Sequence, residues 1–210
     1  MKITFISDTH GKHQELETKS LQGDLFIHAG DVSNIGKKEG VESFLDWYKN
    51  LNFEHKIFIA GNHDYYFERE EQVKIAQLIP KEIIYLNDSG IQIEGINIWG
   101  SPIQPWFYDW AFNRKRGAEI KKHWDLIPNN TDVLITHGPP FGILDATMTG
   151  THVGCDDLLE KVNIVKPKIH VFGHIHEAYG VRDLDGTKYI NASVLDLRYR
   201  MVNSPIEIDL

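Results

Sequence analysis

Short apolar runs recur along the chain and stop abruptly at polar or glycine-containing clusters. They cover Lys2–Ser7, Asp24–His28, Lys56–Ala60, Asp132–Thr136 and Lys168–Phe172. None alternates cleanly between apolar and polar residues, as expected for strands buried on both faces. Helical spacing lies between them. Val41, Phe44, Leu45, Tyr48 and Leu51 fall at i, i+3, i+4, i+7 and i+10 and predict an amphipathic helix. Ile120, Trp124 and Ile127 predict a second helix. Val73, Ala76 and Ile79 predict a third, stopped by Pro80. Asp156 and Asp157, after Cys155, suit a helix start. Two antiparallel hairpins are expected: Ile91–Ile93 with Ile96–Trp99 around Glu94-Gly95, and Tyr179–Arg182 with Thr187–Asn191 around Asp185-Gly186. The βαβαβ order with added hairpins predicts an α/β domain of mixed sheets and outer helices. No repeat or long linker interrupts it, so residues 1–210 are expected to form one domain.

Composition narrows the partners. The 210 residues hold 22 Lys and Arg against 30 Asp and Glu, a net charge of −8. That balance argues against a broad basic face for duplex DNA. The longest apolar runs fall far short of the ~18 residues that span a bilayer, so no membrane partner is expected. Asp8 arrives too early for a signal-peptide apolar region. One cysteine cannot form an internal disulfide, which fits a reducing, cytoplasmic setting. Against this background 11 His stand out, because imidazole is the commonest side-chain metal ligand.

Five strand ends carry Asp, Asn or His. The first strand runs into Asp8-Thr9-His10, the second into Gly30-Asp31, and the third into Gly61-Asn62-His63-Asp64. Later strands run into His137-Gly138 and Gly173-His174-Ile175-His176. Ligands of open α/β sheets bind outside the carboxyl ends of strands, so these residues converge if the strands are neighbours. Asp8, Asp31 and Asn62 offer oxygen; His10, His137, His174 and His176 offer nitrogen. A mixed N/O set without thiolate suits manganese, iron, zinc or cobalt. Seven donors exceed the need of one tetrahedral ion, and two ions sharing a carboxylate would use them all.

These motifs, D-x-H, G-D, G-N-H-D, a lone His and G-H-x-H, occur in order over residues 8–176 and resemble the calcineurin-like metallophosphoesterase superfamily. The resemblance implies a four-layer α/β/β/α sandwich of two mixed sheets flanked by helices. It implies two divalent transition-metal ions, manganese foremost. Asp8, His10, Asp31 and His176 would bind one ion; Asp31, Asn62, His137 and His174 would bind the other, with Asp31 bridging. His63 would contact the phosphate and serve the leaving oxygen, and Asp64 would orient His63. In-line attack by a metal-bridging hydroxide is the implied mechanism. Trp99-Gly100-Ser101-Pro102, Gly138-Pro139-Pro140 and Tyr189-Ile190-Asn191-Ala192-Ser193 are similar to a branch that includes vertebrate brain proteins of the superfamily, associated with cyclic-nucleotide phosphodiesterase activity.

The superfamily's protein phosphatases carry arginines beside G-D and G-N-H. Both are missing here, which favours a small phosphodiester, a cyclic nucleotide among the candidates, over a monoester dianion. A phosphomonoesterase, a nuclease and a nucleotide-binding scaffold with little turnover are the competing readings. Asn62, His63, His152 and Trp106 are candidate substrate contacts: His152 lies in a glycine-rich stretch, and Trp106 belongs to an aromatic cluster able to stack a base. His28 and His170 are expected to be packed within strands. His13, His55 and His123 are expected to be exposed, and Cys155 to be a small packed residue.

Overall fold

The computed structural model describes residues 1–210. Thirteen strands alternate with five helices. In chain order these are β1 (Lys2–Ile6), β2 (Gly23–Ala29), α1 (Lys38–Lys49), β3 (Phe53–Ile59), α2 (Tyr65–Arg69), α3 (Gln72–Leu78), β4 (Ile84–Tyr85), β5 (Ser89–Ile93) and β6 (Ile96–Ser101). Then follow β7 (Gln104–Pro105), β8 (Asn113–Arg114), α4 (Ala118–Trp124), β9 (Val133–Thr136), α5 (Asp156–Val165), β10 (Ile169–Phe172), β11 (Gly180–Leu184), β12 (Thr187–Asn191) and β13 (Ile206–Asp209). One sheet has the order β13-β1-β2-β3-β4 and the other β11-β12-β10-β9-β6-β5. β1 to β4 pair in parallel, as do β6, β9, β10 and β12; β13, β5 and β11 are antiparallel edges. The two expected hairpins are β5–β6 and β11–β12.

Each central strand sorts its side chains between two cores. Ile3 and Phe5, Leu25 and Ile27, Val133 and Ile135, and Ile169 and Val171 lie in one cluster between the sheets. The intervening Phe26, Phe58, Leu134 and Phe172 belong to an outer cluster with the helices. The period-2 geometry of a strand therefore feeds both cores. On α1 the predicted apolar face buries Val41, Phe44, Leu45 and Tyr48. Phe44 lies edge-on to Phe58, and Tyr48 donates to the Ile57 carbonyl. α4 and α5 contribute Ile120, Trp124, Leu158 and Val162 to the outer cluster. Fully burying one such aliphatic or aromatic side chain stabilises by about 1.5–3 kcal/mol. The result is the α/β/β/α sandwich of two mixed sheets that the motifs implied.

Three expectations need correction. α3 presents Ile75, with Leu78 and Ile79, to the core and leaves Val73 66 % exposed. That i, i+3, i+4 set carries more apolar surface than Val73, Ala76 and Ile79, so it wins the buried face. His13 is buried rather than exposed, between Phe44 and Trp47, with its ring on Ser43 Oγ. His123 is half-buried and donates from Nδ1 to Asp88 Oδ2 at 2.6 Å. Cys155 is packed at the start of α5, as expected.

His28 and His170 occupy matching places in the two sheets. Both are fully buried and face the outer layer. Nε2 of His28 bonds Thr9 Oγ1 at 2.9 Å, and Nε2 of His170 bonds Thr136 Oγ1 at 2.8 Å. His28 thereby pins the loop after β1, and His170 pins the last residue of β9, in each case the neighbouring strand. Burial holds both imidazoles down at about 3. Above pH 6.5 they are neutral whether the chain is folded or not. Below it the unfolded chain takes up protons that the folded chain refuses, so stability falls as pH drops from 6.5 toward 3. Each contributes about 1.4 kcal/mol per pH unit in that window. Melting-temperature profiles should therefore slope downward from pH 7 to pH 5, and His170→Leu should flatten the slope by about one proton. An unchanged slope would show that His170 is not the titrating group.

Candidate metal centre

The carboxyl ends of β1, β2 and β3 in one sheet face those of β9 and β10 in the other. Their following loops meet at one edge of the sandwich, stitched by a parallel bridge between Ser7 and Ser193. Three overlapping groups of donors result: Asp8, His10 and His176; His10, Asp31 and His63; Asp31, His137 and His174. Asp31 Oδ2 stands between the halves, 3.6 Å from His10 Nε2 and 3.3 Å from His137 Nε2. Asp8 Oδ1 is 3.6 Å from His176 Nε2, which is 3.3 Å from His10 Nε2. Asn62 Oδ1 lies 2.9 Å from His137 Nε2. All seven expected donors are thus brought together.

Their outer contacts set the tautomers. His137 Nδ1 donates to the Ala29 carbonyl, and His176 Nδ1 donates to the Asp196 carbonyl. Each Nε2 is then left as a lone pair aimed at carboxylate and amide oxygens, all of them acceptors. Such a cluster needs protons or metal cations among its atoms. Without metal, protons answer that need. Burial opposes charge on His137, yet Asp31 outweighs it and lifts the ring to about 9. His176 is likewise raised to about 9, where Asp8 overcomes burial. Burial also opposes the charge on Asp8 and Asp31, but the surrounding imidazoles hold both carboxyls below their usual range. His10 and His174 are pushed by burial down to about 4 and about 3, leaving neutral nitrogen donors. Two neutral imidazoles, two carboxylates and an amide oxygen around proton-hungry Nε2 atoms fit a pair of divalent cations.

Backbone strain is concentrated here. Asp8, His10, Asp31 and His174 all adopt positive φ, at 57°, 44°, 56° and 68°. Non-glycine residues rarely do so, and the cost of about 1–3 kcal/mol each is characteristic of functional sites. The backbone hydrogen bonds His10 N–H to Asp31 O and Asp8 N–H to Gly30 O brace the first two loops against each other.

Asp64 sits differently from its expected role. It makes no hydrogen bond to the His63 ring. Its buried carboxylate accepts from the backbone N–H groups of Val32, Ser33 and Gly61 and from Ser33 Oγ, tying the Asp31 loop to the Asn62 loop. Asp64 is the N-cap residue of α2, but its side chain caps nothing there. Burial and nearby Asp31 raise its carboxyl to about 6. His63 is held instead by its own Nδ1–H, donated to the Asn34 carbonyl at 2.6 Å, and by Trp110 beside its ring.

Several supporting roles escaped the sequence. Ser193 Oγ donates to Asp8 Oδ2 at 2.8 Å, and Asn191 Oδ1 accepts from Ser193 N–H. Tyr199 packs edge-on against His10. With Phe107, Trp110 and Leu197 it lines a cavity of about 290 Å³ over Asp31, His63 and His174. Asn191 and Ser193 stand in the Tyr189–Ser193 segment that carried part of the family resemblance, Phe107 and Trp110 belong with Trp106 to the aromatic cluster, and Leu197 and Tyr199 carried no signal. His152 and Trp106 lie outside this cavity and line an adjoining one.

The two-sheet sandwich and its strand-end donor cluster define a class, and comparison with known proteins names it. Residues 1–178 match the model of the calcineurin-like phosphoesterases, and the chain belongs to that family. Its members hydrolyse phosphate esters and bind divalent metals at a dinuclear site. Among relatives, metallophosphoesterase domain-containing protein 1 of Homo sapiens is 42 % identical over 232 residues, covering 100 % of this chain and 71 % of its own. A UPF0046 protein of Caenorhabditis elegans is 36 % identical, covering 100 % of this chain and 81 % of its own. Among solved structures, the phosphopantetheinyl hydrolase of Mycobacterium tuberculosis shares the fold with a TM-score of 0.62 at 15 % identity, over 94 % of this chain and 90 % of that one. Ser193 and Asp196 lie beyond the matched family span yet touch its Asp8 and His176. No helix is long and apolar enough to cross a membrane.

Proposed function

We propose that the chain is a phosphodiesterase that uses two divalent transition-metal ions, manganese foremost, on a small substrate such as a cyclic nucleotide. The position of Asp31 carries this reading: one carboxylate oxygen faces His10 on one side and His137 on the other. Asp8, His10, Asp31 and His176 would hold one ion, and Asp31, Asn62, His137 and His174 the second. When bound, such a pair supplies Lewis-acid polarisation of the phosphate and an acidified water for in-line displacement.

The protein's own residues do the rest. Asp31 Oδ1 accepts the His63 backbone N–H, so the shared carboxylate and the catalytic ring are positioned together. With Nδ1 committed to Asn34, the Nε2 edge of His63 is free to serve the leaving oxygen. Asn62 holds the aromatic loop through its carbonyl, which accepts Ala111 N–H. No arginine or lysine lines the cavity. A monoester dianion would find no guanidinium fork there, whereas a diester monoanion demands less positive charge. With manganese added, a bis-aryl phosphate should be cleaved with higher kcat/KM than the matching aryl monophosphate. Faster cleavage of the monoester would overturn the diester assignment.

A further inference from the structure

A second cavity, of about 320 Å³, adjoins the first and shares Phe107 and His174 as lining residues. It is within the range of small-ligand sites. Trp106, 62 % exposed, forms part of its wall with Phe107. His152 lines it too, and the support behind His152 is built in detail. Its Nδ1–H donates at 2.6 Å to Asp145 Oδ1. Asp145 is fully buried, and its other oxygen accepts the N–H groups of Gly142 and Gly154, each at 2.9 Å. Arg116 donates to the carbonyls of Val153 and Gly154, the two residues after His152. The backbone bridge between Ala146 and His152 fixes the other side.

The only hydrogen bond made by the imidazole itself is therefore through Nδ1. Nε2 has no protein partner, and the His152 side chain remains 48 % exposed beside the aromatic wall. A buried carboxylate that fixes a tautomer leaves the opposite nitrogen as a directed hydrogen-bonding group. Loop pinning alone would not require an imidazole with its far edge open to a cavity.

We infer that this cavity binds the organic portion of the phosphodiester, and that the Asp145–His152 pair reads a hydroxyl or N–H on it while Trp106 takes a flat ring. The inference rests on the diester reading of the adjoining site. The matching class is an aromatic, hydroxyl-bearing ester substituent, as in a nucleoside. His152 is a specificity residue here, and Asp145 a positioning residue acting through it.

The test compares two diesters with the same leaving group, uridine para-nitrophenyl phosphate and methyl para-nitrophenyl phosphate, in the manganese-loaded enzyme. The wild type should favour the uridine ester in kcat/KM. His152→Asn keeps an N–H donor for Asp145 and deletes the Nε2 edge. It should cut that preference about tenfold, the loss falling on the uridine ester rather than on the methyl ester. Trp106→Ala should also erode the preference, by about tenfold. Equal losses on both esters, or no loss on either, would overturn the inference. If the wild type cleaves neither ester, the diester reading fails, and uridine monophosphate binding to the metal-free protein by calorimetry decides the pocket separately. At least about tenfold weaker binding in His152→Asn would sustain it, and equal binding would overturn it.

Discussion

Asp31→Asn is expected to abolish turnover while leaving the fold in place. The amide still offers an oxygen to His63 N–H, so the local hydrogen bond survives. What goes is the negative charge shared between His10 and His137. A metal pair contributes several kcal/mol of transition-state stabilisation, and each 1.36 kcal/mol is tenfold in rate. A loss of about 10³-fold or more in kcat/KM follows on the bis-aryl diester. Metal content measured by elemental analysis should fall from about two ions per chain to about one or none. Near-wild-type turnover, or two tightly held ions in the variant, would refute the bridging role of Asp31.

The second large effect is expected from a single methyl group. A Cβ on Gly173 would collide with Asp8 Oδ2 and Ser7 Oγ, both buried and hydrogen-bonded. Asp8 Oδ2 cannot retreat without losing Ser193 Oγ, nor Ser7 Oγ without losing the Gly30 carbonyl. Gly173→Ala should therefore cost about 1–3 kcal/mol of stability, as overpacking of a close-packed interior does. Because Asp8 must move, metal affinity should drop by at least about tenfold as well. Gly138→Ala is the control: its Cβ would meet Gln104 Cβ at 3.7 Å, an ordinary contact. Chemical denaturation and metal titration of both variants make the comparison. Equal behaviour of the two would show that Asp8 and Gly173 are not in close contact.

Much of the centre was legible because its donors are tied to strand ends. A run such as Lys2–Ile6 must stop where its backbone leaves the sheet, and parallel strands deliver such ends to one edge. That rule brought Asp8, His10, Asp31, Asn62, His137, His174 and His176 together without reference to any contact. The same rule says nothing about what stands behind each donor. Asp64 is next to His63 in sequence, yet its carboxylate turns to the backbone of Val32 and Ser33. The Asn34 carbonyl that holds His63 is 29 residues away from it, and Ser193 reaches Asp8 across 185 residues. A backbone carbonyl carries no residue-type signal at all.

The sequence by itself determined the architecture and the donor chemistry. Apolar runs with helical spacing between them dictate an α/β domain of mixed sheets with outer helices, and the motifs at the strand ends add the two-sheet sandwich through their family resemblance. Asp, Asn and His at the strand ends dictate a hard-to-borderline cation site. Only the tertiary structure decided how those groups are charged, aimed and supported. Burial and the mutual field of Asp8, Asp31, His137 and His176 set their protonation, and these depend on three-dimensional distance. The same is true of the left-handed backbone at four donors and of the Asp145–His152 pair beside them. Each arises where two or more loops are forced into contact, and the energy of that contact resides in packing rather than in any one stretch of chain.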